Sequence, residues 1–212
     1  IDYDETNATM VHYDINPKNV AIIAGGRPKL NDFNVAEFMR WNVKTKQPCG
    51  FRGRLHEPWW RAPEELIMVK PKDTSQMLTK KGYVDSEEDL PILTEKVDVY
   101  SLGYLLHNLL TGHSPRGQAK KHRVAEVREV VLRGEMPNIH PDILNSTDPA
   151  TVALRQGAYR CLQYRPEDRW TARDIAMEML EVLERIKAEE LDEEPVEQPD
   201  EQPDEEPDDN GE

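Results

Sequence analysis

His12 and Asp14 stand two residues apart, Asn19 follows five residues after that aspartate, and Asp32 precedes a phenylalanine thirteen residues further on. Hard carboxylate and amide oxygens select Mg²⁺ over zinc, and two carboxylates with one amide suit a coherent chemistry. Asn19 and one of the aspartates would hold magnesium on a polyphosphate while the other aspartate accepts a hydroxyl proton. Asp and Asn are also common turn residues, so the spacing alone serves loop structure equally well.

Positioning these groups requires a tight scaffold. The runs NVAII and RPKL read as two short strands around the turn AGG, which places Asp14 in a loop before one strand and Asp32 just after the other. Residues 35–61 read as irregular, and the polar stretch 70–94 as a surface insertion. From Glu95 the pattern turns helical. Val99, Leu102, Leu106, Leu109 and Leu110 recur at three- and four-residue intervals and Gly112 closes the run, which predicts a mostly buried helix. A second, amphipathic helix is predicted over 122–133 and a third over about 150–163. The last starts at Thr171, an N-cap with Asp174 three residues on, and buries Ile175, Met179, Val182 and Ile186.

The 212 residues suffice for one large domain, and the net charge of −14 is localised rather than general. Residues 189–212 hold fourteen of the 41 acidic residues and no Lys or Arg, which leaves 27 acids against 27 bases elsewhere. A neutral remainder argues against nucleic acid or an anionic membrane as partner. The acidic, proline-punctuated tail has no apolar surface to offset chain entropy and is expected to be disordered, a candidate arm for a basic partner. Two cysteines without metal-ligand spacing point to an intracellular, cytoplasmic setting, and no run is long and apolar enough to span a membrane. An upstream membrane segment in a longer parent stays open.

Five stretches together carry a family resemblance. HYDINPKN resembles the catalytic loop of eukaryotic-type protein kinases, KLNDFN their metal-binding strand end, and APE the close of their activation segment. EKVDVYSLGYLLHNLLTG resembles their central buried helix, and RCLQYRPEDRW their late arginine motif. The resemblance covers residues 10 to about 186 in the family's order. It implies an α+β, predominantly helical fold: a kinase-like C-terminal lobe over 1–188 whose short hairpin carries the catalytic and metal-binding loops, followed by the tail 189–212.

What the resemblance implies for function is phosphotransfer from ATP, with Mg²⁺, to a protein substrate, serine or threonine in preference to tyrosine. Asp14 would be the catalytic aspartate, aided by Lys18, with Asn19 and Asp32 as nucleotide and metal ligands. His12 would be structural, Asp98 would accept backbone N–H bonds from the catalytic loop, and Glu64 and Arg169 would form a buried ion pair. Glu57, Trp60 and Arg61 would lie in the loop that meets the substrate, Trp59 and Trp60 serving packing, with Tyr164 and Trp170 in the core.

Several positions depart from the family's pattern. Asn16 stands where a lysine usually meets the γ-phosphate, Glu57 where a threonine links substrate loop to catalytic aspartate, and Tyr13 where an arginine docks an activation-loop phosphate. An anion at Glu57 would disturb Asp14 unless Lys18 pairs with it. DFG is DFN, and Asn34 is expected to take the left-handed bend in place of glycine. Thr45 is the one hydroxyl acceptor in 35–61, so activity should not depend on phosphorylation there. No glycine-rich loop or strand lysine of an N-terminal lobe occurs, so the chain reads as a fragment, inactive alone. The rival reading is a pseudokinase, a kinase-shaped binding or scaffolding module.

Overall fold

The computed structural model describes residues 8–54, 57–67 and 90–193. Most of the 70–94 insertion and residues 194–212 of the tail lie outside them. Among the described residues the short strands come first: β1 (Met10–Val11), β2 (Val20–Ile22), β3 (Pro28–Leu30), β4 (Glu37–Phe38), β5 (Trp41–Asn42), β6 (Gln47–Pro48), β7 (Phe51–Arg52) and β8 (Ile92–Leu93). The helices are α1 (Pro63–Leu66), α2 (Lys96–Thr111), α3 (Val124–Leu132), α4 (Pro141–Leu144), α5 (Pro149–Cys161) and α6 (Ala172–Glu193).

β2 and β3 form an antiparallel hairpin with Val20 opposite Leu30. Residues 35–61, expected to be irregular, instead carry paired segments. β5 pairs locally with β6, while β4 pairs with β1 and β7 with β8, which joins these residues to the body. β8 belongs to the 70–94 stretch expected to be a surface insertion, whose end is instead packed inside, with Leu90 and Leu93 buried.

Helix α2 is the spine. Val97, Tyr100 and Tyr104 face a core with Val11, Tyr13 and Leu93, while Val99 and Leu106 face a second core with Ala158, Cys161 and Ile175. Two buried faces explain why its sequence has so few polar positions. Leu109 departs from the expected burial: it lies near the helix end and is exposed. Gly112 ends the helix at φ 70°, and its N–H donates to the carbonyl of Asn108. Where α2 crosses α5, a Cβ on Gly103 would sit 2.7 Å from Cys161 Cβ and 2.7 Å from Leu162 Cγ, so the contact accepts glycine alone.

Helix α6 opens with a reciprocal cap. Thr171 Oγ1 accepts the N–H of Asp174, and Asp174 Oδ2 accepts the N–H of Thr171. Ile175 and Val182 are buried, with Met179 and Ile186 partly so. Tyr164 is exposed rather than in the core, since its ring lies beside Gly134 at the surface, while Trp170 is half-buried under Arg160.

Candidate active site

Strand β1 delivers Val11 into the core and leads directly into His12, Tyr13 and Asp14. Asp98, in the first turn of α2, accepts the backbone N–H of His12 on Oδ2 at 2.6 Å and that of Tyr13 on Oδ1 at 2.8 Å. Between these anchors Tyr13 is held at φ 64°, a left-handed conformation costly for a bulky residue. Burial pushes the Asp98 carboxyl up, and its two N–H bonds oppose that shift. The clamp turns the chain so that Asp14 emerges half-buried while Tyr13 points inward.

His12 ties the two acidic segments together. Its Nε2 donates to the carbonyl of Asn31 at 2.8 Å, its Nδ1 accepts the N–H of Asp14, and its ring meets Phe33 edge-on at 4.7 Å. The N–H of Asn31 in turn donates to the carbonyl of Asn19 at 2.9 Å. Asp14, Asn19 and Asp32 are thereby brought to one end of the hairpin. The left-handed residue of the second segment is Asp32, at φ 62°, not Asn34, which takes part in a turn closed by the N–H of Ala36 on the carbonyl of Phe33. Asp32 can take that geometry because a short polar side chain tolerates it.

Asn19 is buried, and its Nδ2 donates both to the carbonyl of Asp14 and to Asp14 Oδ2, at 2.8 and 2.9 Å. With the amide oriented in this way, Oδ1 is left as an oxygen donor. Asp32 is exposed and, among the described residues, its carboxylate has no ion-pair partner. Asn19 Oδ1 and the Asp32 carboxylate make a hard, oxygen-only donor set of the small size that Mg²⁺ accepts when phosphates and water complete its shell.

Lys18, the cation expected to stand in for the missing γ-phosphate lysine, makes no contact with Asp14 among the described residues. Its side chain is exposed, while its N–H donates to Asn16 Oδ1. Asn16 itself serves the loop: Nδ2 donates to the carbonyl of Asp14. The cation at Asp14 is Arg61, whose Nη2 lies 3.0 Å from Asp14 Oδ1 and whose Nη1 donates to the carbonyl of Tyr13 at 2.6 Å. Arg61 therefore faces inward rather than toward a substrate. Trp60 packs edge-on against Tyr104, and Glu57 alone of the three expected substrate-loop residues is exposed.

Glu65 was missed by sequence reasoning. It is buried, accepts from Arg61 Nη1 at 3.3 Å and, through Oε2, from the N–H of Ala62 at 2.6 Å. Burial pushes its carboxyl up to about 7, against the pull of Arg61. A signal was available: Glu65 sits three residues after the cap position of α1, the place of a capping-box glutamate, although Ala62 offers no side chain to return the bond.

Tyr13 fills the place of a phosphate-docking arginine in another way. Its hydroxyl accepts the N–H of Arg54 at 2.9 Å and its ring meets Phe51 edge-on, so the segment after the hairpin is pinned by a neutral side chain. Further off, Arg169 uses all five N–H groups. Two go to the Glu64 carboxylate, at 2.5 and 2.7 Å, and three to the carbonyls of Lys96, Gln163 and Tyr164.

Comparison with known proteins adds an independent line. The family model described as protein kinase domain matches residues 6–180. Among curated relatives, serine/threonine-protein kinase tousled-like 1 of Caenorhabditis elegans is 24% identical over 179 residues, covering 82% of this chain and 16% of the relative. Serine/threonine-protein kinase TOUSLED of Arabidopsis thaliana is 26% identical over 163 residues, covering 76% and 20%. Serine/threonine-protein kinase tousled-like 2 of Homo sapiens is 24% identical over 179 residues, covering 82% and 20%. The chain spans about a fifth of the length of the curated relatives it matches.

Proposed function

The chain belongs to the protein kinase family, and from that premise we propose that it carries the catalytic-loop part of a site transferring the γ-phosphate of ATP to a protein hydroxyl. Serine or threonine is the preferred acceptor, as in the names of the relatives it resembles. The observation that carries this reading is the fixed, half-exposed carboxylate of Asp14, held from opposite sides by Asn19 and Arg61 above a backbone clamped by Asp98.

Each residue then has a task. Asp14 orients the acceptor hydroxyl and takes its proton as the phosphoryl group leaves ATP, a step in which positioning supplies most of the rate. Asn19 and Asp32 would hold Mg²⁺, which when bound would offset the charge of the phosphates. His12 keeps the two segments in register. Lys18, exposed at the mouth, is free to swing toward the γ-phosphate in the place left by Asn16. Tyr13 replaces a phosphate-dependent anchor, so transfer does not wait on Thr45.

A kinase-shaped binding module is favoured by one observation: both carboxylate oxygens of Asp14 are already engaged, and Asn16 brings no charge to a phosphate. Two measurements separate the readings. Mg²⁺-dependent binding of ATP, lost in Asp32→Ala, supports the metal-nucleotide site. Labelling of a protein acceptor from γ-labelled ATP, with any flanking coding sequence restored, should fall at least a hundredfold in Asp14→Asn. Nucleotide binding with equal labelling by both forms would leave the binding module standing and reject transfer.

A further inference from the structure

At the far end of α2 from Asp98 lies a cavity of about 630 Å³ between α2, α3 and the segment before α4. Two groups on its wall are incomplete. Arg116 is 8% exposed, yet its Nε donates to the Tyr104 hydroxyl and its Nη2 to the carbonyl of Glu135, both neutral. Among the described residues no carboxylate pairs with it. A buried guanidinium without an anion is costly, so the site favours one. His107, 3% exposed, donates from Nε2 to the carbonyl of Asn138, and its Nδ1 has no hydrogen-bond partner. Burial holds that imidazole below the usual histidine range, which leaves Nδ1 as an unused acceptor for a peptide N–H.

The rim is basic. Residues 113–123, HSPRGQAKKHR, contain four Lys and Arg, two His and no acid, and Lys120, Lys121 and His122 are exposed. The carboxylates nearest the cavity are already paired, Glu126 with Arg123 at 3.0 Å and Glu135 with Arg133 at 2.6 Å. An arriving anion therefore meets uncompensated positive charge.

Helix α6 delivers such an anion to this end of the molecule. Lys96 Nζ donates to the carbonyl of Arg169 at 2.8 Å, which fixes the start of α6 beside the start of α2. Met179 and Leu106 then converge on Gly157, so the two helices run in the same direction. α2 ends five residues after Leu106, roughly 8 Å on, while α6 continues fourteen residues past Met179, roughly 21 Å. Beyond it, residues 194–212 hold ten Asp and Glu and no Lys or Arg. Nineteen residues of random coil span roughly 25 Å on average, a reach at which a tethered segment has an effective concentration in the millimolar range.

We propose that the cavity and its 113–123 rim form a binding site for acidic peptide, and that its occupant is the chain's own segment 194–212, docked in cis. Carboxylates of the tail pair with Lys120, Lys121 and the Arg116 guanidinium, and a tail N–H completes His107. The site is independent of the phosphotransfer reading. Binding in trans by another acidic protein would then require displacement of the tail.

The test uses a fluorescent peptide of residues 194–212, titrated at 50 mM salt against the full chain and a version ending at Glu193. The shortened chain should bind at least tenfold more tightly than the full one, and Lys120→Glu/Lys121→Glu in the shortened chain should weaken binding at least tenfold. Removing the tail should shift backbone amide resonances of residues 113–123 at any protein concentration. Equal binding by full and shortened chains, or by the charge-reversed variant, overturns the proposal. A shift that appears only as concentration rises overturns the cis assignment and places the tail on a second copy. Arg116→Gln, with folding checked by circular dichroism, tests the cavity separately: unchanged peptide affinity would remove the cavity from the site, and if this variant fails to fold, the lysine pair alone decides.

Discussion

Arg61 lies between two carboxylates, 3.0 Å from Asp14 Oδ1 on one side and 3.3 Å from Glu65 Oε1 on the other. One cation thus orients the proposed catalytic group and compensates a fully buried acid. Removing it should hurt twice. Arg61→Gln is expected to lose about 3–5 kcal/mol in urea denaturation at pH 8, because Glu65 is left as an unpaired buried charge. Adding Glu65→Gln should recover part of that loss; a double variant no more stable than Arg61→Gln would show that the two side chains do not couple.

Glu65 also sets a pH dependence. Its folded value of about 7 is raised above the ordinary glutamate range, so the folded state binds its proton more tightly than the unfolded state does. The stability contributed by this group is fully present below about pH 4.3 and declines as pH rises, levelling off above about 7, with a total change of up to about 3 kcal/mol. Urea midpoints measured between pH 5 and 8 should fall in the wild type and flatten in Glu65→Gln. Parallel slopes for both would reject this assignment.

Asp98 holds two backbone N–H groups and the left-handed turn at Tyr13. Asp98→Ala should cost about 2–4 kcal/mol, since two buried donors lose their acceptor and the strained turn is free to relax. Hydrogen exchange at His12 and Tyr13 should accelerate far more than at Val124 or Val127. Uniform acceleration would mean general loosening rather than release of the turn.

Arg169→Lys keeps the charge but cannot supply five fixed N–H groups. It should destabilise by about 2–4 kcal/mol, close to the effect of Arg169→Ala. If lysine instead restores wild-type melting, charge alone matters and the carbonyl bonds to Lys96, Gln163 and Tyr164 contribute little.

Two glycines on facing helices should respond differently to alanine. At Gly103 the added methyl meets a Cβ and a branched Leu162 side chain, and a loss of about 1–3 kcal/mol is expected. At Gly157 it meets the end of Met179, a flexible side chain that can swing aside, so a gain in helix propensity of up to about 1 kcal/mol offsets the contact. Thermal melts of the two variants decide; equal losses would show that Met179 cannot move.

The motif residues were legible because each is specified by its neighbours along the chain. The period of α2, the cap at Thr171 and the order of Asp14, Asn19 and Asp32 are local patterns. The inward turn of Arg61 and the ladders of β4 and β7 were not, because their partners lie elsewhere: Asp14 is 47 residues from Arg61, β4 returns to β1, and β7 pairs with β8 inside the stretch that reads as a surface insertion. Asn34 was plausible from sequence position alone. The left-handed residue of that segment is Asp32, on the other side of Phe33, and Asp14 takes its cation from Arg61, a partner that no local pattern names. Tyr164 looked like core by type, yet its place at the end of α5 leaves the ring outside.

The bidentate bond from Arg169 to Glu64 joins residues 105 positions apart. At a synthesis rate of roughly 5–20 residues per second, the ribosome needs about 5–20 s to add the second partner after the first. During that interval Glu64 faces solvent and the segment behind it has nothing to close against. A nascent chain arrested before residue 169 should therefore be cut readily by protease near α1, and release of the completed chain should bring protection there in a single step.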